Sequence, residues 1–273
     1  MHFQQKKLGH KIDMDNAAPG PSVLRIASAD GGLIANGKPF IIKGLVWWGA
    51  ESARALPGGL EWRSLDDVLA MLARYGFNAL KLPFLHQHVL FDDHLPANSF
   101  DARVNPMLQE NGRPIKYVAM LRAIARRAAR HGILVWLVAH SLEGLWYSRS
   151  ISEVTVLDSW TALSKQLCPQ WNIIGADLKN RPWAASWGRG QPIDWDTAAT
   201  RLGDHVSSSC PRWLVGVQGV GETPGAEQDP DMEFAAMFPN FHQGENLVGA
   251  RRKPVRLTDS SRCAHTASAC QPR

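Results

Sequence analysis

The stretch ILVWLVAH, residues 133–140, is almost continuously apolar, rich in branched residues, and ends on one polar histidine. Strands that are covered on both faces by helices read in this way, because neither face meets water. Four similar runs occur along the chain, each followed by a polar loop. They are IIKGLVWW (41–48), FNALKLPF (77–84), NIIGADL (172–178) and WLVGVQGV (213–220).

Amphipathic helices are predicted between these runs. Ser64 is placed to cap a helix that Gly76 ends, and Gly132 ends the helix before the 133–140 run. Alternating strands and helices indicate an α/β fold with a parallel sheet, and we predict a (β/α)8 TIM barrel. At the observed spacing this length holds about five βα units, so we expect an incomplete barrel. Apolar stripes at helical spacing support the helices: Leu65, Val68, Leu69, Leu72; Tyr117, Met120, Leu121, Ile124, Ala128; Leu157, Trp160, Leu163, Leu167; Trp195, Ala198, Ala199, Leu202, Val206.

The chain divides into three parts. Residues 1–22 are polar and are predicted to be a flexible arm, residues 23–248 form the partial barrel, and residues 249–273 form a basic, disordered tail. Six basic residues and one acid between 251 and 273 account for the whole formal charge of +5. A neutral body with a basic tail does not indicate nucleic-acid binding.

Several function classes are excluded by missing signals. No apolar run reaches the roughly 20 residues of a membrane-spanning helix, and the first residues do not form a secretory signal, which leaves localisation open. No glycine-rich phosphate loop follows a strand, and there is no G-x-S-x-G sequence. We therefore expect no cofactor, no membrane or nucleic-acid partner, and a monomer.

Candidate functional residues are those at the carboxyl ends of the strands, where barrel active sites lie. His86 and His88 form an H-x-H pair, but no third ligand has a defined spacing, so we expect no metal site. The eleven tryptophans fill core or offer flat surfaces to sugar rings. The candidates are Trp47, Trp48, Glu51, Lys81, His86, His88, His140, Asn180, Arg181, Gln218 and Glu222.

Four ordered blocks carry a family resemblance. NGKPFIIKGLVWWGAES (36–52), LARYGFNALKLPF (72–84), HGILVWLVAHS (131–141) and NIIGADLKNRPWAASWG (172–188) resemble glycoside hydrolase family five. The resemblance implies a cellulase-type TIM barrel, often secreted, that cleaves β-1,4-glucan and related polysaccharides. Its retaining mechanism needs one carboxylic acid as proton donor and a second carboxylate about 5–5.5 Å away as nucleophile.

The resemblance assigns roles to individual positions. His140 matches the active-site histidine, and Asn180 matches the asparagine that holds the sugar 2-hydroxyl. Lys81 stands where the family usually has arginine. Three tryptophans lie in loops that approach the glucan chain in the family: Trp47, Trp48 and Trp187.

Both catalytic carboxylates are missing from the pattern. Arg181 replaces the acid/base glutamate, with the expected Pro182 after it, and the seventh strand that carries the nucleophile is absent. Arginine keeps its proton, since its pKa lies above about 12. Three interpretations remain: an inactive relative of the β-glucan hydrolases, a non-catalytic β-glucan-binding protein, and a truncated product without function.

Cys168 and Cys210 open two similar phrases, LCPQWNIIG and SCPRWLVGV, at the same offset before successive strands. If those strands are neighbours about 4.8 Å apart, the two residues lie side by side at the amino end of the sheet. A disulfide requires Cα atoms roughly 4.4–6.8 Å apart, which this arrangement allows. A disulfide and two buried free thiols both remain open.

We predict that Arg181→Glu alone will not restore hydrolysis. The change rebuilds the proton donor and leaves the nucleophile absent, and the two groups act as a unit. Reducing-sugar release from soluble β-1,4-glucan measures the outcome. Steady glucan cleavage by the single variant would contradict the prediction and would mean that another carboxylate acts as nucleophile.

Overall fold

The computed structural model describes residues 24–29 and 32–220 and the backbone of residues 247 and 248. The arm 1–22, the tail 249–273 and Glu222 lie outside these residues. In chain order the strands are β1 (Ile26–Ala29), β2 (Gly32–Ala35), β3 (Lys38–Phe40), β4 (Gly44–Val46), β5 (Ala79–Phe84), β6 (Gln109–Glu110), β7 (Arg113–Pro114), β8 (Leu134–Ala139), β9 (Ile173–Asp177), β10 (Leu214–Gly216) and β11 (Leu247–Val248). The helices are α1 (Leu65–Arg74), α2 (His86–Phe91), α3 (Tyr117–Arg130), α4 (Glu153–Leu167) and α5 (Trp195–Ser209), and Pro106–Leu108 forms one 3-10 turn.

The five apolar runs form a parallel sheet in the order β4–β5–β8–β9–β10, and the two-residue β11 pairs antiparallel with β10. The predicted TIM-barrel type of α/β fold is confirmed, and the described residues supply five parallel strands of it. Two runs, 41–48 and 213–220, give strands of only three residues each, Gly44–Val46 and Leu214–Gly216. The run 41–48 contributes only Gly44–Val46, because Asn78 binds the backbone on both sides of residue 42 and Trp47 already enters the next loop.

The helices begin and end at the predicted signals. The Ser64 hydroxyl accepts the backbone N–H of Asp67 at 3.0 Å and caps α1. Gly76, with a φ of +76°, takes the left-handed conformation that follows a helix end. Each helix buries its apolar stripe against the outer face of the sheet, and this packing forms the larger core. Within the described residues, no helix combines the length and apolar character needed to cross a membrane.

An antiparallel sheet of β1, β2 and β3, which the apolar runs do not predict, precedes the barrel strands. Asn36 and Gly37 both have positive φ, +49° and +81°, and connect β2 to β3 by a two-residue turn. Apolar side chains of this segment, including Ile26 and Phe40, pack against the smaller core formed by the inner face of the barrel strands. The segment therefore shields residues that the barrel strands alone would leave in contact with water.

Trp136 of β8 dominates that smaller core. A Cβ atom at Gly175 would lie 2.7 Å from Cε2 of Trp136, and one at Gly216 would lie 3.3 Å from its Cζ2. The two glycines belong to neighbouring strands, β9 and β10, and their missing side chains make room for the indole. This packing fills the interior of the sheet below the polar residues at the carboxyl end.

Cys168 and Cys210 lie at the carboxyl ends of α4 and α5 and form a disulfide, with Cα atoms 5.7 Å apart. That distance is within the range that the pairing requires. Beside it, the Arg212 guanidinium donates to the carbonyls of Cys168, Gln170 and Trp171, which fixes the turn from α4 into β9. The amino end of the sheet is therefore stabilised by a disulfide bond and by the hydrogen bonds of Arg212.

We predict that replacing both cysteines, Cys168→Ser with Cys210→Ser, lowers the free energy of unfolding by roughly 2–4 kcal/mol. The bond closes a loop of 42 residues and restricts the unfolded chain. Urea unfolding of the two proteins measures the difference, and non-reducing peptide mapping of the wild type checks the linkage. Alkylation of both cysteines without reductant would contradict the prediction.

Candidate active site at the carboxyl end of the sheet

The candidate site lies where β5, β8, β9 and β10 end. Because parallel strands end at one edge, residues far apart in sequence meet there. Lys81 comes from β5, His140 follows β8, Asn180 and Arg181 follow β9, and Gln218 follows β10. The structure brings these five predicted candidates together in one hydrogen-bonded network.

Asp177, the last residue of β9, forms the buried centre of this network. Its side chain accepts a hydrogen bond from Lys81 Nζ at 2.7 Å and one from Gln218 Nε2 at 2.7 Å, both on Oδ2. The residue is only 3% exposed, so its charge depends on these partners. Asp177 is not among the residues predicted from the sequence, although it is a lone acid at the end of an apolar run and lies close to Asn180 in sequence.

Gln218 connects the buried Asp177 to the residues that follow β9. Its Nε2 also points to Asn180 Oδ1 at 3.3 Å, and its Oε1 accepts the backbone N–H of Arg181 at 2.9 Å. Its carbonyl accepts the indole N–H of Trp195 at 2.8 Å, which anchors the residue to α5. One glutamine thus orients both residues of the Asn180–Arg181 pair.

Asn180 and His140 form the next link. Asn180 Nδ2 donates to His140 Nδ1 at 2.9 Å, so the imidazole is a neutral acceptor on that nitrogen. The ring of Trp48 meets the His140 ring edge-on with centroids 5.1 Å apart. Trp48 itself is 41% exposed, so part of its indole faces solvent beside the histidine.

Two cations influence His140. Burial, followed by the charges of Lys179 and Arg181, lowers the pKa of His140 to about 4. Lys179 is itself buried and donates to the carbonyls of Ser141 at 3.1 Å and Asn180 at 2.9 Å. Burial lowers the pKa of Lys179 to about 8, against the opposing charges of Glu143 and Asp177. His140 is therefore neutral at pH 7 and serves as an acceptor.

Arg181 is exposed and has a left-handed backbone with a φ of +56°. Its carbonyl accepts the N–H of Trp183 at 2.9 Å, and the following Pro182 is buried. The side chain at this position therefore leaves from a tight turn whose backbone N–H is bound by Gln218, the residue that also contacts Asn180. The residue that the resemblance places at the acid/base position is held in a defined location.

The three predicted sugar-contacting tryptophans differ in exposure. Trp47 is partly buried and donates its indole N–H to the carbonyl of Gly58 at 2.9 Å. Trp187 is also partly buried and packs against the larger core, whereas Trp48 reaches solvent. Trp183, which was not singled out from the sequence, is 54% exposed.

The H-x-H pair serves the packing of α2. His86 is buried, contacts the Ser159 hydroxyl through Nδ1, and has the rings of Phe84 and Trp160 around it. Burial lowers the pKa of His86 to about 3, so it stays neutral. His88 Nε2 contacts the carbonyl of Ser52 at 2.9 Å. Across the described residues, no group of three histidine, cysteine or acidic side chains is arranged to hold a metal ion.

Parallel strands flanked by helices, with a polar site at the carboxyl ends of the strands, are the arrangement of TIM-barrel proteins, whose functional sites lie at that face. No protein-family model matches the chain. An endoglucanase from Paenibacillus polymyxa is 30% identical over 238 residues, covering 85% of this chain and 56% of the relative. The major extracellular endoglucanase of Xanthomonas campestris pv. campestris is 31% identical over 196 residues, covering 69% of this chain and 39% of the relative.

A solved structure, the complex of an endocellulase variant from Pyrococcus horikoshii with cellotetraose, superimposes with a TM-score of 0.68 at 27% identity. The match covers 87% of this chain and 67% of that one. The chain is similar to cellulase-like glycoside hydrolases, and these relatives and solved structures support its resemblance to family five. It spans about half the length of the curated relatives it matches, 56% of one and 39% of the other.

We predict that His140 makes the protein less stable as the pH falls from about 6.5 to about 4. In that range the unfolded chain takes up a proton on this histidine and the folded chain does not, because the folded pKa is about 4. The free energy of unfolding of His140→Gln should therefore fall by roughly 0.5–2 kcal/mol less than that of the wild type between pH 7 and about pH 4.5, a range reduced because the imidazole is only partly buried.

Urea unfolding of both proteins at the two pH values measures this difference. His86 is present in both chains, so its own titration cancels in the comparison. Equal losses of stability on acidification would show that His140 does not titrate as its surroundings imply.

Proposed function

We propose that this chain binds β-1,4-glucan or a related polysaccharide at the carboxyl end of its sheet and does not hydrolyse it. The observation that carries the proposal is Arg181 at the position of the family's acid/base glutamate. The fold is that of cellulase-like hydrolases, and the resemblance supports β-glucan as the substrate class. The chemistry of the key position is different.

A guanidinium cannot act as the proton donor. Hydrolysis with retention requires a group that gives a proton to the leaving oxygen and takes one back from water. Arginine, with a pKa above about 12, stays protonated in both steps. It can donate hydrogen bonds to sugar hydroxyls or to the glycosidic oxygen, which supports binding without bond cleavage.

Three described carboxylates are candidate replacements, and we expect none of them to take over the role of the acid/base glutamate. Asp177 is buried and bound to Lys81 and Gln218. Glu51 Oε2 accepts the N–H of Gly49 at 2.7 Å. The negative charge of Glu143 favours the protonated form of Lys179, against the effect of burial on the pKa of that lysine. The mechanism fixes the separation of its two carboxylates to about 5–5.5 Å, so a carboxylate committed elsewhere is a poor substitute.

The binding half of the site retains its polar and aromatic groups. Asn180 is held by Gln218 and His140 in the position that the resemblance assigns to contact with the sugar 2-hydroxyl. Trp48 offers an exposed indole face next to His140. Aromatic surface combined with a few oriented polar groups is the usual composition of a carbohydrate-sized site.

Retained hydrolysis is the second candidate function. It is favoured by the two relatives, which are named endoglucanases. It requires acid and nucleophile from residues other than Arg181. Glu222, which follows the fifth barrel strand and lies outside the described residues, is the candidate that the sequence offers.

We predict that the purified chain is retained on insoluble cellulose and releases no reducing sugar from soluble β-1,4-glucan. Removing a general acid of this kind typically lowers the rate by about 10²–10⁴-fold. Retention is measured by depletion from solution, and turnover by reducing ends, with the same preparation in both assays. A chain that cleaves glucan, and loses this activity on Glu222→Gln, would establish hydrolysis and contradict the proposal. Failure to bind cellulose or soluble glucan would contradict it as well.

A further inference from the structure

Trp183 is the most exposed aromatic side chain of the loop that follows β9, at 54% exposure. It comes two residues after Arg181, so it lies at the same end of the sheet as the Asn180–His140 pair. Among the described residues, neither the hydrogen-bond network nor the two hydrophobic cores include its ring. An exposed indole beside a candidate binding site offers a flat apolar surface that a ligand can cover.

The ring of Trp183 rests on a glycine of a different loop. A Cβ atom at Gly144, in the loop after β8, would lie 2.6 Å from Cε2 and 2.7 Å from Cδ2 of Trp183. Any side chain at residue 144 would therefore collide with the indole. The absence of a side chain there lets the ring lie directly against the backbone, with its remaining surface in solvent.

The backbone around the ring is held at several points. The N–H of Ala184 donates to the carbonyl of Gly144 at 3.1 Å, which joins the two loops beside the ring. The N–H of Trp183 donates to the carbonyl of Arg181, and the N–H of Ala185 donates to that of Pro182 at 3.1 Å. The exposed indole thus belongs to an ordered turn, and little freedom is lost if a ligand covers it.

We propose that Trp183, seated on Gly144, is a stacking platform for one pyranose ring of a bound β-glucan chain. A flat indole with one face supported and surface left in solvent suits the C–H face of a sugar ring. The inference rests on the proposed glucan binding and assigns to it a second aromatic contact in addition to Trp48.

The position of the two indoles indicates a ligand of several sugar units. Trp48 follows β4 and Trp183 is in the loop after β9, and β5 and β8 lie between those strands. Their rings reach different residues of the loop after β8, since Trp48 contacts His140 and Trp183 contacts Gly144. An oligosaccharide that crosses this face can contact the two rings through different sugar units. Loss of Trp183 should therefore matter more for a long ligand than for a short one.

The test is titration of the full chain with cellohexaose and with cellobiose, followed by calorimetry. Trp183→Ala should weaken cellohexaose binding by about tenfold, as expected for a buried aromatic contact, and Trp183→Tyr should retain most of the affinity. Gly144→Ala keeps the tryptophan but adds a methyl group that collides with its ring, so it should also weaken binding. Tyr75→Ala is the matched control, because Tyr75 is 67% exposed at the end of α1, where the chain approaches the amino end of β5 and not the carboxyl end that holds the site.

The outcomes separate the two proposals. If the wild type binds cellohexaose and Trp183→Ala binds it within about twofold, the platform is wrong and the proposed glucan binding stands. If the wild type binds neither oligosaccharide, both proposals are wrong. Thermal unfolding of each variant accompanies the titrations. If Trp183→Ala unfolds, the folded Trp183→Tyr and Gly144→Ala variants decide, and equal wild-type affinity in both would overturn the platform.

Discussion

The carboxylate of Asp177 is the constraint on which the geometry of the site depends. It is buried at the end of β9, and its Oδ2 atom holds Lys81 from β5 and Gln218 from beyond β10. Its other oxygen, Oδ1, has no hydrogen-bond partner among the described residues. The compensation of the buried charge therefore falls on one atom. Loss of one partner of a buried ion pair typically costs about 3–5 kcal/mol, because the remaining charge is left without compensation.

That arrangement determines what the rest of the site can do. Gln218, once fixed by Asp177, orients the side chain of Asn180 and the backbone of Arg181. Asn180 in turn sets the acceptor nitrogen of His140. The opposite end of the sheet is stabilised independently, by the Cys168–Cys210 disulfide and the Arg212 contacts. The Asp177 network organises the carboxyl end of the sheet, and the disulfide stabilises the amino end. Because the two are separate, side chains of the site can change while the fold is retained.

The sequence predicts the parallel strands and their helices because burial on both faces leaves an unambiguous apolar pattern, as in residues 133–140. It predicts less well where a side chain meets a distant loop. Trp187 and Trp183 are four residues apart in the same motif, yet only the structure shows which of them is exposed, since that depends on Gly144. The three-stranded sheet at residues 26–40 was missed although Asn36–Gly37 is a typical hairpin turn, because the strands are too short for a clear alternation. Asp177 was missed for another reason: a lone acid in an apolar run gives no sign of its two partners.

The left-handed backbone at residue 181 has a steric cost that depends little on which longer side chain the residue carries. With a φ of +56°, every residue other than glycine, asparagine or aspartate meets a similar steric penalty there, of about 1–2 kcal/mol. Glutamate and arginine pay it alike, and both leave the turn from the same Cα. The backbone cost of an exchange between them is therefore nearly zero, even though the exchange reverses the charge beside His140. Backbone strain at residue 181 thus does not favour a catalytic acid over an arginine, and the difference between them lies in the charge that each brings to the site.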